Sequence, residues 1–297
     1  MTLATATAER CTHRPRGKAL PDRLKQVHPA ALLRSAAADR WLAKAYRTMR
    51  TVYRSWVQDV VARYADGLLN EVGSRDQAAL EDRLYAAGRP LTYSMVEGGY
   101  DWTRQEFNSE GGRSGVPGLA AKETVPQVGV PEWQDFIGQA DFTGVEDHIR
   151  AVSQRAAATQ AGAVNRIFTA AGDTGATRQD VAKQLLADGL VQTDMRAALW
   201  ARTETQWAYN EGAHQAYIAA GVSVEEWVTT QDDATCEFCG AMDGVKVRTN
   251  DNFVEAGDSV TGLDGGTYTT QFPAGHPPLH PNCRCVVVPA DEAIGRT

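Results

Sequence analysis

Two tight cysteine pairs, Cys236-Glu-Phe-Cys239 and Cys283-Arg-Cys285, constrain this chain more than any other feature. A C-x-x-C turn sets two sulfurs side by side. The second pair closes the run His276-Pro-Pro-Leu-His280-Pro-Asn-Cys283-Arg-Cys285. Thiolates and imidazoles carried on two such knuckles are the donors a tetrahedral Zn²⁺ takes, at ~2.0–2.3 Å. The fifth cysteine, Cys11, stands alone near the amino end. An odd total and close pairing argue against a secreted disulfide framework. A thioredoxin-type C-x-x-C would sit beside a βαβ unit, and no such pattern surrounds this one. A disulfide pair and free or redox-active thiols are the competing readings of the same residues.

Cys236, Cys239 and Cys283 are the common ligand set. His280 is preferred as the fourth, because the proline in His280-Pro281-Asn282-Cys283 restrains that knuckle. Cys285 and His276 are the alternates; in an extended segment positions 283 and 285 project to the same side. Four protein ligands leave no corner for water, so such a zinc is structural and not catalytic. Asp232, Asp233 and Glu237 are near in sequence, but the two aspartates also suit the turn into the first knuckle. Residues 222–297 hold too few apolar side chains to fold by burial alone, and a metal staple answers that need.

The rest of the chain reads as helix. Its 297 residues suggest about two domains. A 43% hydrophobic, 23% charged composition excludes full disorder and collagen-like structure. No run approaches the ~18–20 apolar residues of a membrane span, and the first twenty residues lack the apolar centre of a secretion signal. The charge is uneven: residues 1–60 carry twelve Lys/Arg against four Asp/Glu, whereas residues 222–297 carry four against twelve. A basic amino end on an acidic body suggests an arm for nucleic acid or an acidic partner.

Residues 1–29 read as a flexible basic segment and 30–107 as a helical region. There Leu42, Tyr46, Met49, Tyr53, Trp56, Val60 and Tyr64 mark one helical face. Arg40, Lys44, Arg47, Arg50 and Arg54 fall largely opposite, a basic face that either contacts phosphates or merely stays wet. A second helix is expected over Arg75–Ala87, ending at Gly88 and Pro90. Residues 108–140 read as a Gly/Pro-rich linker or loop. Residues 141–221 are helical again, with an N-cap at Thr177, a stop at Gly189 and a last helix over Thr193–Ala220. Residues 222–297 form a β-containing, cysteine-bearing module, with strands near 222–230, 245–249 and 284–288 and loop over 250–275. The expected class is α+β: a mainly helical body and a small zinc-stabilised carboxyl module.

The last helix carries a second signal. Thr203, Trp207, Asn210, His214 and Tyr217 step by three and four along one face. A face mixing polar and aromatic groups suits a hydrogen-bonded seat for the β-module or a partner surface. A catalytic role for Arg202, Glu204 or His214 finds no nearby nucleophile, and no catalytic residue is assigned.

These elements together resemble one family. Arg202-Thr203-Glu204, Asn210, Trp227, Asp232, Cys236, Cys239, Asp243-Gly244 and Pro277-Pro278-Leu279-His280-Pro281-Asn282-Cys283-Arg284-Cys285 look like the pattern of phage Mu F-like minor head proteins, also called head morphogenesis proteins. The resemblance covers roughly residues 165–290, and nothing before about residue 140 matches a named family. It implies a low-copy structural component of the virion, in the head interior, assembled in the host cytoplasm. The implied partners are the portal protein and other capsid or scaffold proteins, with packaged DNA a further contact for the basic amino end. The implied roles are head assembly and DNA packaging or ejection, without enzymatic activity. Two rival readings are a zinc-dependent nuclease or hydrolase and a toxin-like effector module. With twelve residues after Cys285, no appended toxin domain is expected.

Overall fold

The computed structural model describes residues 29–108, 131–138, 140–174, 176–232 and 234–290. Five helices come first: α1 (Pro29–Ala65), α2 (Ser74–Asn108), α3 (Trp133–Ile137), α4 (Thr143–Thr174) and α5 (Arg178–Ala219). The carboxyl module follows, with β1 (Val224–Val228), α6 (Glu237–Met242), β2 (Lys246–Arg248), β3 (Ser259–Thr261), β4 (Thr267–Thr269) and β5 (Val286–Pro289). This is the α+β class expected from the sequence, a helical body with a small carboxyl sheet. Among the described residues no helix is long and apolar enough to cross a membrane. Cys11 and most of the basic amino segment lie outside the described residues, as does most of the Gly/Pro-rich stretch.

The chain divides into two compact units, Leu42–Tyr93 with Asp141–Ala201, and Met1–Trp41 with Ser94–Ala140 and Arg202–Thr297. In the first, Met49, Tyr53, Trp56 and Val60 of α1 are buried, as their spacing requires. Two of its helices outrun their sequence signals. α2 continues through Gly88 and Pro90. A proline removes one helical hydrogen bond, but the turns on both sides of Pro90 are tied to α4. Tyr85, Arg89 and Tyr93 all donate to the Glu146 carboxylate, at 2.6, 2.7 and 2.9 Å. Gly88 is a packing glycine and no helix end, since a Cβ there would stand 3.3 Å from the Trp200 ring. α5 likewise runs 42 residues without a stop at Gly189. A Cβ at 189 would touch Val57 at 3.4 Å, so the small residue serves close approach. The start of α5 follows the expected cap: Asp180 N–H donates to Thr177 Oγ1 at 3.2 Å, and that hydroxyl donates to the Asp180 carboxylate at 2.6 Å.

In the second unit α2 and α5 cross with backbone against backbone. A Cβ on Gly99 would overlap the Tyr209 carbonyl oxygen; one on Gly212 would overlap the Val96 carbonyl oxygen and lie 2.6 Å from the Tyr100 nitrogen. Tyr100, Tyr209 and Tyr217 are buried around this crossing. α3 lies within the stretch read as linker, and its Trp133 meets the Tyr100 ring edge-on at 5.2 Å.

The module is built on an antiparallel sheet ordered β2-β1-β5. Glu226 pairs with Lys246 on one side and Val288 on the other. Alternation along β1 sends Glu225 and Trp227 to the same buried face. The stretch expected to be loop contains a hairpin of β3 and β4, with Val260 opposite Tyr268. Three-residue strands are too short to leave an alternation signal. The turn between them works because Gly265 adopts a positive φ of 87° and Gly262 N–H donates to the Gly266 carbonyl.

Candidate metal centre

The first knuckle forms because a cysteine caps a helix. Cys236 is the N-cap of α6, and its sulfur accepts from the Cys239 N–H at 3.5 Å. Both thiols therefore lie over the first turn. The second knuckle is shaped by Asn282, whose φ of 64° lies in the left-handed region that asparagine tolerates. Its N–H donates to Thr203 Oγ1 at 3.2 Å, and the Cys283 N–H donates to the His280 carbonyl at 3.1 Å.

The fold brings the two knuckles together. His280 Nε2 lies 3.1 Å from both Cys236 Sγ and Cys239 Sγ. Cys239 Sγ lies 3.6 Å from Cys283 Sγ. Cys239 is the shared corner of two triads, one with Cys236 and His280 and one with Cys283 and Cys285, each spanning no more than 4.8 Å. All four cysteines of the centre are buried and free of disulfides. An ion with ~2.3 Å bonds to sulfur and ~2.0–2.1 Å to nitrogen sets its tetrahedral ligands about 3.5–3.8 Å apart. The sulfur spacing meets that range and the imidazole contacts fall slightly inside it. Sulfur and imidazole donors in a buried cluster suit a thiophilic divalent ion, so these groups lie close enough to hold a metal.

The reserve ligand, His276, is not brought there. Its Nε2 meets Glu211 Oε2 at 2.8 Å and its Nδ1 lies 2.7 Å from the Pro277 carbonyl. Both His280 and Cys285 stand in the cluster, as the alternatives for the fourth position had it.

Burial, hydrogen bonds and neighbouring charges act together on the titratable groups of the cluster. Burial alone would raise the Cys283 thiol, but hydrogen bonds from Cys239 and Cys285 and the His280 charge bring it well below its ordinary value. Hydrogen bonds to Cys236, Cys283 and Cys285, with burial, push Cys239 up. Burial works against the His280 cation, yet the Cys236 hydrogen bond and the charges of Cys283 and Cys236 raise it to about 9. An ion taken up here displaces these protons.

The polar face of α5 holds the module. Asn210 Nδ2 donates to the carbonyls of Pro277 and Cys285, at 3.1 and 3.0 Å, and its Oδ1 accepts from the Val287 N–H at 3.2 Å. Gln206 Nε2 also donates to the Cys285 carbonyl, at 2.9 Å. The Trp207 ring tilts against His276 at 5.4 Å. Arg202 is exposed and Glu204 buried. In the other unit Arg50 and Arg54 both grip Asp194, while Lys44 and Arg47 are exposed; the Arg40 side chain lies outside the described residues.

Sequence reasoning missed Gln206, Glu211 and Glu225. Gln206 sits one turn before Asn210, and Glu225 shares the buried β1 face with Trp227; both periodicities were available signals. Glu211 and Glu225 complete a buried set of two carboxylates and two imidazoles. His214 Nδ1 lies 2.9 Å from Glu225 Oε1, and the His214 and His276 rings are 6.0 Å apart. Burial acts to raise Glu211, but the His276 hydrogen bond and the charges of both histidines hold it down at about 2. Burial acts to lower His214, but Glu225 and Glu211 raise it above its ordinary value. Burial raises Glu225 despite His214.

These directions fix a pH dependence. Glu211, depressed in the folded state, contributes stability above its unfolded value of ~4.3 and loses it as pH falls toward 2. His214, raised, contributes below ~6.5 and loses that contribution as pH climbs through its folded value. Glu225, also raised, contributes below ~4.3 and loses that contribution as pH climbs through its folded value, so its decline sets in below the His214 step. Thermal melts across pH should therefore show the second unit losing stability both as pH falls below about 4.3 and as it climbs past about 6.5. A His214→Gln variant should flatten the alkaline limb; an unchanged limb would remove His214 from the account.

Residues 149–288 match the family model of phage Mu protein F like proteins, just under half of the chain. The motif resemblance is met over that span. No curated protein and no solved structure matches the chain.

Proposed function

We propose that the chain is a minor structural component of a phage head, acting beside the portal during head assembly and DNA packaging or ejection. The observation that carries this reading is the family match, which runs from α4 to β5 and so includes the docking face of α5 and both knuckles. Zinc is the ion its donors suit, with Cys236, Cys239, Cys283 and either His280 or Cys285 as ligands. Four such ligands saturate the ion, which pins the module and does no chemistry. The exposed Lys44 and Arg47, with the basic amino end, face packaged DNA or an acidic neighbour; the acidic body limits non-specific adhesion to duplex. The protein works in the head interior after assembly in the host cytoplasm.

The test is co-expression of the full chain with its portal and scaffold proteins, followed by purification and metal analysis. The reading expects co-purification with portal subunits, one zinc per chain and no turnover of DNA. Chelator-sensitive DNA cleavage that is lost in His280→Ala would replace it with a zinc hydrolase.

A further inference from the structure

We infer that Asp232 and Arg284 form a clasp that closes the two knuckles on each other as the module folds, so that the ion does not hold them together alone. The inference rests on the metal reading above. Asp232 lies four residues before Cys236, and Arg284 lies between Cys283 and Cys285. The guanidinium meets the carboxylate fork on fork: Nη1 donates to Oδ2 at 2.6 Å and Nη2 to Oδ1. Two parallel bonds fix direction as well as distance, which a lysine's single charge cannot do.

Neither partner is free to swing. The Asp232 Oδ1 also accepts the Ala234 N–H at 3.0 Å, its own N–H donates to Thr235 Oγ1 at 3.2 Å, and its carbonyl accepts the Thr235 N–H at 2.9 Å. The carboxylate is thus part of the turn that delivers Cys236. On the other side, the Cys283 N–H is fixed on the His280 carbonyl and the Cys285 carbonyl on Gln206 and Asn210. The clasp joins one rigid turn to one rigid strand end across 52 residues of chain.

That span is why the pair matters. Closing a long loop costs chain entropy, and whichever link forms first relieves the next of most of it. The β1–β5 ladder brings Val228 and Val286 together, and the clasp carries that closure on to the ligand-bearing turns, which an ion without it would have to hold by itself. The side chains are 39% and 41% exposed, and isolated pairs at that exposure contribute little. Two things set this one apart: the fork geometry and a backbone held at both ends. The Lys246–Glu226 pair, with one contact at 3.6 Å between adjacent strands, lacks the fork. Groups that orient metal ligands from outside typically change metal affinity about 10–100-fold when removed.

The experiment titrates the full chain with Zn²⁺ against a chromophoric competing chelator. The variants are Arg284→Gln, Asp232→Asn, which keeps the Oδ1 acceptor of the turn, and the double variant Asp232→Asn/Arg284→Gln. Wild type should take up one ion per chain. Each single variant should bind about ten-fold more weakly while keeping its helical signal and, once loaded, a protease-resistant module. The double variant should bind no more weakly than either single, because both act through one contact. Single variants that bind like wild type overturn the clasp and leave the metal reading standing, as does a double variant in which the two losses add. A wild-type chain that takes up no ion overturns both together.

Discussion

Cys239→Ser should release the metal and unfold residues 222–290 while α1, α2, α4 and α5 stay helical. Cys239 is the corner common to both triads, so its loss breaks both of them. Serine is nearly the same size, which separates lost coordination from lost packing. Structural zinc sites in small domains supply about 10–16 kcal/mol of apparent binding free energy at neutral pH, and that energy is folding energy. The module has little to replace it: its three-stranded sheet is built from strands of five, three and four residues. Hydrogen exchange and limited proteolysis would show the change. The β1 and β5 amides should exchange freely and cleavage should concentrate after Gly221, with helical ellipticity largely kept. Excess chelator on wild type should reproduce the pattern. A Cys239→Ser protein whose module resists protease like wild type would show that the sulfur cluster does not hold this part of the chain.

Gly212→Ala should be the most damaging alanine substitution among the helical glycines. The new methyl would overlap the Val96 carbonyl oxygen and sit 2.6 Å from the Tyr100 nitrogen, both of them backbone. A flexible side chain could yield; a helix backbone yields only by moving the whole helix. Overpacking typically costs 1–3 kcal/mol; with no side chain to give way, about 3 kcal/mol or more is expected here. That corresponds to a Tm lower by on the order of 10 °C for a chain this size. Gly162→Ala supplies the contrast. Its methyl would meet only the Arg166 guanidinium, at 3.8 Å, and replacing a helical glycine removes backbone freedom from the unfolded chain. It should be neutral or raise stability by up to about 1 kcal/mol. Differential scanning calorimetry on the two variants decides the matter. Equal melting temperatures would mean that the α2–α5 crossing is not as tight as drawn.

The knuckles were legible in the sequence because sulfur chemistry leaves few options. A C-x-x-C turn and a C-x-C turn with an adjoining histidine restrict both the ligands and their geometry, so Cys236, Cys239, His280, Cys283 and Cys285 could be named before any fold was known. The helical faces were legible for a similar reason, since Met49, Tyr53 and Trp56 repeat with the helix period. What failed was punctuation. Pro90, Gly88 and Gly189 read as stops, and each is overruled by partners remote in sequence: Glu146, Trp200 and Val57. A local propensity of ~1–3 kcal/mol cannot be weighed against contacts that only the folded chain creates. The pairing of Glu211 with His276 escaped for the same reason. Sixty-five residues separate them, and nothing near either one announces the other. The hairpin of β3 and β4 was lost to brevity, because three residues hold too little pattern to distinguish a strand from a loop.

The order of the two knuckles along the chain has a consequence for how the protein is made. Cys236 and Cys239 leave the ribosome well ahead of Cys283, which lies 44 positions after Cys239. At translation speeds of roughly 5–20 residues per second, the first two sulfurs wait about 2–9 s for their counterparts. During that interval the nascent chain exposes two adjacent thiols with nothing to close over them. On the metal reading proposed above, loading would need reducing conditions and a buffered supply of free ion at the site of synthesis, and production in metal-poor medium should yield helices with an unmade tail.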